Sequence, residues 1–170
     1  RGCFTESMVI ASRLFDLYDY FENSHARAQG YRLKSLNQLK VSKFEEVIKI
    51  CGEGIEYTGR TNHLAILQVL YCHRCIAYCM SNDVNEALND LLEAEKLVQQ
   101  TKMVKLYFCE YLLARCFYEW TVINNEPGTK KSACRNMLKL CNRLIKESKH
   151  VPSHRIQAWR IKAMVCIQLN

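Results

Sequence analysis

Tyr71-Cys72-His73-Arg74-Cys75 opens on a large ring, reaches a basic residue three positions later and sets a small residue directly after it. The same order returns as Tyr31–Lys34–Ser35, Leu112–Arg115–Cys116 and Trp159–Lys162–Ala163, with first members 40, 41 and 47 residues apart. On a helix, residues spaced by three and four share a face, so each copy reads as one packing stripe. A repeat of that length is one helix pair stacked on the next, the mark of a solenoid. Such chains present long concave surfaces and mostly bind other macromolecules.

Composition agrees with an all-helical chain. The 170 residues are 49% apolar, with only six Gly and two Pro, too little turn material for a β-rich fold. That length suffices for one domain with a sizeable core. No stretch is apolar over about 18 residues, and residues 1–10 lack the pattern of a signal peptide, so no membrane partner or secretory route is implied. The first residue is Arg rather than Met, which reads as a piece of a longer protein. Ten cysteines fall mainly at apolar helical positions, unlike a disulfide framework with Gly and Pro between its cysteines. A reducing cytoplasm or nucleus is expected.

Periodicity and caps predict eight helices, over roughly 6–22, 24–39, 42–57, 61–80, 83–99, 102–123, 129–149 and 153–170. Ser42 with Glu45 reads as a capping box, Asp83 with Glu86 as a second N-terminal signal, and Thr58-Gly59-Arg60 as a break. Residues 124–128 form the clearest turn, Thr129 the next cap, and Pro152-Ser153 the start of the last helix. Short linkers predict antiparallel neighbours.

At these residues the chain resembles the tetratricopeptide repeat family. The best match sets Tyr71, Arg74, Cys75 and Tyr78 on one helix and Ala87, Leu91 and Ala94 on its partner. A weaker copy pairs Tyr31 and Ser35 with Phe44, Val47, Cys51 and Gly54, and another pairs Leu112 and Cys116 with Cys134, Leu138 and Cys141. Trp159, Ala163 and Cys166 resemble the first helix of a repeat without its second. The resemblance implies an α-α superhelix, a TPR-like solenoid of about eight antiparallel helices. It forms one segment over 1–170, with repeats at 24–58, 61–100, 102–149 and a half repeat at 153–170. Three departures stand out: longer repeats, a basic residue where the family mostly has Leu, and no Pro closing each repeat.

Carried over, the family's groove positions are Arg32, Leu36, Cys72, Ile76, Glu110, Leu113, Phe117, Arg160 and Met164. Some chaperone-adaptor members clamp a carboxylate with Lys and Asn there. Here Arg32 stands at one such place, and Cys72, His73 and Ile76 at others, so that clamp is broken. The apolar remainder suggests an extended or helical peptide with hydrophobic anchors.

A second candidate surface is electrostatic. Residues 129–170 hold ten Lys or Arg and one acid, Glu147, about +9 of a total of +7, which leaves the first 128 residues at −2. Lys131, Arg135, Lys139 and Arg143 recur at four-residue spacing as one basic ridge, opposite Cys134, Met137, Leu138, Cys141, Leu144 and Ile145. The ridge reads either as a solvated face or as a dock for an acidic protein segment or nucleic-acid phosphates. Without interleaved aromatics it lacks the stacking platform of a single-strand binder.

Catalytic patterns are absent from the sequence: no Gly-rich phosphate loop, no Gly-x-Ser-x-Gly elbow, no His-Glu-x-x-His. Cys72, Cys75 and Cys79 share the packing stripe and are read as core residues rather than zinc ligands, so no metal or cofactor is expected. His25, His63, His73, His150 and His154 are expected mostly at the surface. The function expected is a non-catalytic protein–protein interaction scaffold, using the groove, the basic ridge or both. The alternative is a nucleic-acid- or chromatin-associated helical module built on the basic C-terminal third. The last helix carries apolar residues around its circumference, so further repeats of the parent chain, or a second copy, are expected to cover it.

Overall fold

In the computed structural model of the chain, residues 4–100, 104–125 and 130–169 are described. They form α1 (Phe4–Phe21), α2 (Ser24–Lys40), α3 (Phe44–Arg60), α4 (Leu64–Met80), α5 (Val84–Gln100), α6 (Lys105–Asn125), α7 (Lys130–Glu147) and α8 (Pro152–Leu169), with no strand among them.

A repeated turn sets the first five helices on a 20-residue rhythm. Glu22, Ser42, Asn62 and Asn82 each adopt a left-handed backbone, with φ of 51°, 59°, 57° and 62°. In the last three turns the next amide bonds back five residues: Lys43 to Gln38 O, His63 to Thr58 O and Asp83 to Tyr78 O, at 3.1, 3.1 and 2.9 Å. This is the Schellman closure, which satisfies helix-end carbonyls and reverses the chain within three residues. Asn, whose short polar side chain tolerates this conformation, occupies two of the positions.

The same turns correct three boundaries. Ser42 is the left-handed turn residue and not a cap; Lys43 occupies the N-cap of α3 and makes no side-chain cap bond. Thr58-Gly59-Arg60 is no break, because α3 runs through it and Thr58 Oγ1 donates back to Gly54 O at 2.7 Å. Asp83 does precede α5, with Glu86 N at a long 3.4 Å from its Oδ1. The expected start at Lys102, most of the turn at 124–128, the Thr129 cap and Asn170 lie outside the described residues.

The helices form two rows. Successive helices pack on one another, and α2 also touches α4, α4 touches α6, and α6 touches α8. Among the described residues α3, α5 and α7 do not touch each other, so the even-numbered helices form a continuous inner row and the odd ones an outer row. This is an all-α helical-repeat stack, as the repeat length predicts. Covered by α2, α3, α5 and α6 at once, α4 is buried on most of its circumference. It joins the two core clusters, giving Ile66, Leu70 and Ala77 to one and Cys72, Cys75, Ile76 and Cys79 to the other.

Inner and outer rows meet on small side chains. Val47, Cys51, Ala87, Ala94, Cys134 and Cys141 are fully buried. At Gly54 an added Cβ would lie 2.9 Å from both Leu70 Cδ1 and Tyr31 Cβ, closer than carbon atoms can pack. The basic residue of the repeated stripe works at the same seam. Arg74 donates to both Asp90 oxygens of α5 at 2.8 and 2.7 Å, Arg115 reaches Glu95 of α5 at 3.6 Å, and Lys162 donates to Asn142 of α7 at 2.8 Å. These basic residues form a polar lock between rows.

Ala87→Arg inserts a long charged side chain where no volume is free. It is expected to lower unfolding stability by about 3–5 kcal/mol through overpacking and an unpaired buried charge. Urea denaturation reads this directly, and a midpoint equal to that of the parent would refute the packing register.

Candidate functional site

The inner row, with the start of α3, borders an open cleft of about 350 Å³, within the range of small-ligand and side-chain pockets. Leu36 and Leu39 of α2, Phe44 of α3, Ile76 and Met80 of α4, and Leu113 and Phe117 of α6 supply its apolar lining. Lys40 and Arg160 add two cations, and His73, Glu110 and His154 the remaining titratable groups.

Six of the nine predicted groove residues line this cavity: Leu36, Ile76, Glu110, Leu113, Phe117 and Arg160. Three do not. Cys72 is wholly buried, its sulfur 3.0 Å from Gln68 Nε2, so it belongs to the core. Arg32 bonds back along its own helix to Gln29 Oε1 at 2.7 Å. Met164 is half-buried and packs against the main core cluster.

A buried polar chain crosses four inner helices at the side of the cavity. Ser35 Oγ of α2 lies 2.8 Å from His73 Nδ1 of α4, and His73 Nε2 is 3.7 Å from Glu110 Oε2 of α6. The same oxygen is 2.8 Å from His154 Nε2 of α8, whose Nδ1 is 3.2 Å from Ser153 Oγ. His73, Glu110 and His154 are 1%, 3% and 6% exposed, which overturns the expectation of surface histidines for these two. His25 and His150 are exposed and His63 half-buried, as their positions near helix ends suggest. Burial works to raise the Glu110 pKa, but the imidazoles of His154 and His73, by close polar contact and by charge, outweigh it and hold the carboxyl well below the ordinary carboxylate range. Neither Nε2 meets the angular requirement of a hydrogen bond among the described residues, so the two contacts with Glu110 are close polar approaches rather than aligned bonds.

The missed signal was the charge itself. Glu110 interrupts the apolar run Tyr107–Leu113, and a buried acid on an inner helix requires a partner from a neighbouring helix. Which partner the sequence could not say, because His73 and His154 lie 37 and 44 residues away.

Elsewhere, burial pushes the Cys51 thiol up to about 12 and the Cys72 thiol well above its ordinary value, which disfavours the nucleophilic thiolate. No group of three or more His, Cys, Asp or Glu among the described residues has metal-holding geometry. Lys131, Arg135, Lys139 and Arg143 are all exposed on α7, and none pairs with a described carboxylate; Arg143 lies 5.1 Å from the Phe108 ring. No described helix is long and apolar enough to cross a membrane. No family model, curated protein or solved structure matches the chain.

Because the folded Glu110 pKa is depressed, its stabilising contribution is present above the unfolded carboxyl value near 4.5 and is lost as pH falls below it. Glu110→Gln is therefore expected to cost about 3–5 kcal/mol at pH 7, the cost of removing one partner from a buried charged cluster. The difference from wild type should shrink steadily in denaturation curves taken from pH 5 down to pH 3. A gap constant across that range would show that Glu110 is not ionised against the two imidazoles.

Proposed function

We propose that the chain is a divergent TPR-like segment acting as a non-catalytic protein–protein interaction scaffold, and that a partner peptide inserts an apolar side chain between its inner helices. The observation that carries this reading is the 350 Å³ cavity, apolar in its lining and cationic at Lys40 and Arg160. Glu110, its one acidic lining residue, is already engaged by two imidazoles, so an acidic residue beside the peptide's anchor would meet net positive charge. The stack supports the reading physically, since a continuous inner row offers an extended concave face.

Selection from a displayed peptide library should enrich sequences with an apolar anchor flanked by Asp or Glu. Leu36→Arg, which fills the cavity from a half-buried position, should weaken the selected peptides by roughly 30-fold, as truncation of an interface hot spot does. Peptides indifferent to Leu36→Arg, or no enrichment at all, would remove the groove from consideration.

One observation favours the second reading, nucleic-acid binding by the C-terminal third: four exposed cations on one face of α7 with no carboxylate partner. Reversing Lys131, Arg135, Lys139 and Arg143 to Glu together should leave helicity unchanged, because Cys134, Met137, Cys141 and Leu144 do the packing. On this reading, binding to duplex DNA should be lost at low salt, and the parent's affinity should fall with salt by about one log unit per log unit for each phosphate contacted. DNA binding that survives the reversal would discard the ridge as its seat.

A further inference from the structure

The described lining of the cleft carries five ionisable side chains: Lys40 of α2, His73 of α4, Glu110 of α6, and His154 and Arg160 of α8. With both imidazoles neutral, Lys40 and Arg160 against Glu110 leave a formal +1; with both protonated the lining carries +3. Imidazole is the side chain that ordinarily changes charge between about pH 5 and 8. Among the described residues no charged side chain of α3, α5 or α7 lines the cleft. Asp90 of α5 is held by two nitrogens of Arg74, Glu147 of α7 acts on Cys109, and Arg32 of α2 bonds back to Gln29. Burial raises the thiols of Cys72 and Cys109 above their ordinary value, so neither adds a charge beside Glu110. The two histidines are therefore the groups whose protonation sets the potential of the cleft.

Hydrogen-bond accounting shows where a proton is added. Ser35 Oγ lies 3.0 Å from the Arg32 carbonyl oxygen and 2.8 Å from His73 Nδ1. A carbonyl only accepts, so the one hydroxyl hydrogen goes to Arg32 O, and both bonds form together only if His73 Nδ1–H donates to Ser35 Oγ. A neutral His73 then leaves Nε2 as a bare lone pair, buried, without a hydrogen-bond partner and 3.7 Å from Glu110 Oε2. Two acceptors face each other there. His154 Nε2, 2.8 Å from the same oxygen, is likewise buried and unpartnered. An acid group seated in the cleft adds a second negative charge beside Glu110, and these two nitrogens are the atoms placed to answer it with a proton.

We infer that the cleft takes up its ligand together with a proton from solvent: an apolar ligand bearing an acid group binds as His73 Nε2, assisted by His154, becomes protonated, so that such ligands bind more tightly as pH falls. The inference deepens the groove reading and rests on it, since it specifies how the charge of that site is set. Linkage makes the effect reciprocal, so the acid-bearing ligand also draws protons onto the imidazoles. An uncharged ligand of the same shape has no such coupling.

The test uses the intact 170-residue chain with anilinonaphthalene sulfonate, a fluorescent apolar anion of constant charge, and N-phenyl-1-naphthylamine, its uncharged analogue. Between about pH 8 and pH 6 the anion should bind at least about fivefold more tightly, the low end of ordinary coupling between sites, while the neutral probe keeps its affinity. Calorimetry of anion binding in two buffers of different ionisation heat should read net proton uptake. His73→Gln combined with His154→Gln should flatten the pH response, with circular dichroism checking the fold; if that variant unfolds, the buffer calorimetry on the parent decides. Leu36→Trp, which fills the cleft from a half-buried position, should expel both probes. Anion binding in the cleft without proton uptake, or a neutral probe that tightens in parallel, overturns the inference and leaves the groove standing as a binding site. Probes that fail to bind, or that persist in Leu36→Trp, overturn both the inference and the groove reading.

Discussion

The stack depends on how closely the inner and outer rows can approach. Where α3 leans on α2 and α4, the contact atom is the bare Cα of Gly54, and a single methyl there would meet Tyr31 and Leu70 at 2.9 Å. The corresponding contacts of α5 use Ala87 and Ala94, and those of α7 use Cys134 and Cys141. A helix pair seated this closely loses little conformational entropy in side chains and gains dense dispersion contact along its length. The cysteines follow from the same constraint. A thiol is a small apolar side chain, and eight of the nine described cysteines are buried at positions of this kind or in the core beside them.

Close seating of the rows also decides where polar groups can go. With four neighbours, α4 has little exposed circumference, so any polar residue it carries at an inner position must find its partner inside the protein. Arg74 does so with Asp90, and His73 does so with Ser35 and Glu110. The first pair holds an outer helix to an inner one, and the second joins inner helices to each other. Burial raises the Asp90 carboxyl above its ordinary value while the Arg74 guanidinium pulls it back without cancelling the shift, whereas Glu110 is shifted the other way. Both carboxylates are nearly inaccessible to solvent, and each is met by cationic or polar nitrogens from a neighbouring helix.

What could be read from the residues divides along the same physical line. Element number and type were legible because the stripes Tyr31–Ser35, Tyr71–Cys75 and Leu112–Cys116 repeat packing chemistry that only a helix can place on one face. Helix ends were not. Ser42 before Glu45 has the composition of a cap, yet the reversal needs a left-handed residue at that step, and the Schellman amide bonds win over the side-chain cap. Thr58-Gly59 looks like a break, but Thr58 returns its hydroxyl to Gly54 O and the helix continues. The groove was legible through its apolar members, Leu36, Ile76, Leu113 and Phe117. Cys72 was misplaced because it faces the core rather than the cavity, which no single repeat copy resolves. His154 was read as a surface residue from its place near a helix start, and His73 from its polar side chain, whereas their contact with Glu110 joins three repeats.

The two ends of the inner row differ for a reason the repeat makes explicit. At the N-terminal end α1 lies against α2 and carries Phe15, whose ring meets Tyr31 edge-on at 5.0 Å and crowds Gly30, so the first stripe is closed. At the other end no described helix performs this service for Trp159, and Lys162 folds over the ring instead. A cation above an exposed indole lowers the cost of leaving it in water but does not remove the apolar area of Ile156 and Ile167 on either side. The contrast is therefore chemical as well as geometric. Aromatic contact seals the first stripe, whereas among the described residues Trp159 is bordered by Arg155, Arg160 and Lys162, so its ring is shielded by a cation rather than by packing.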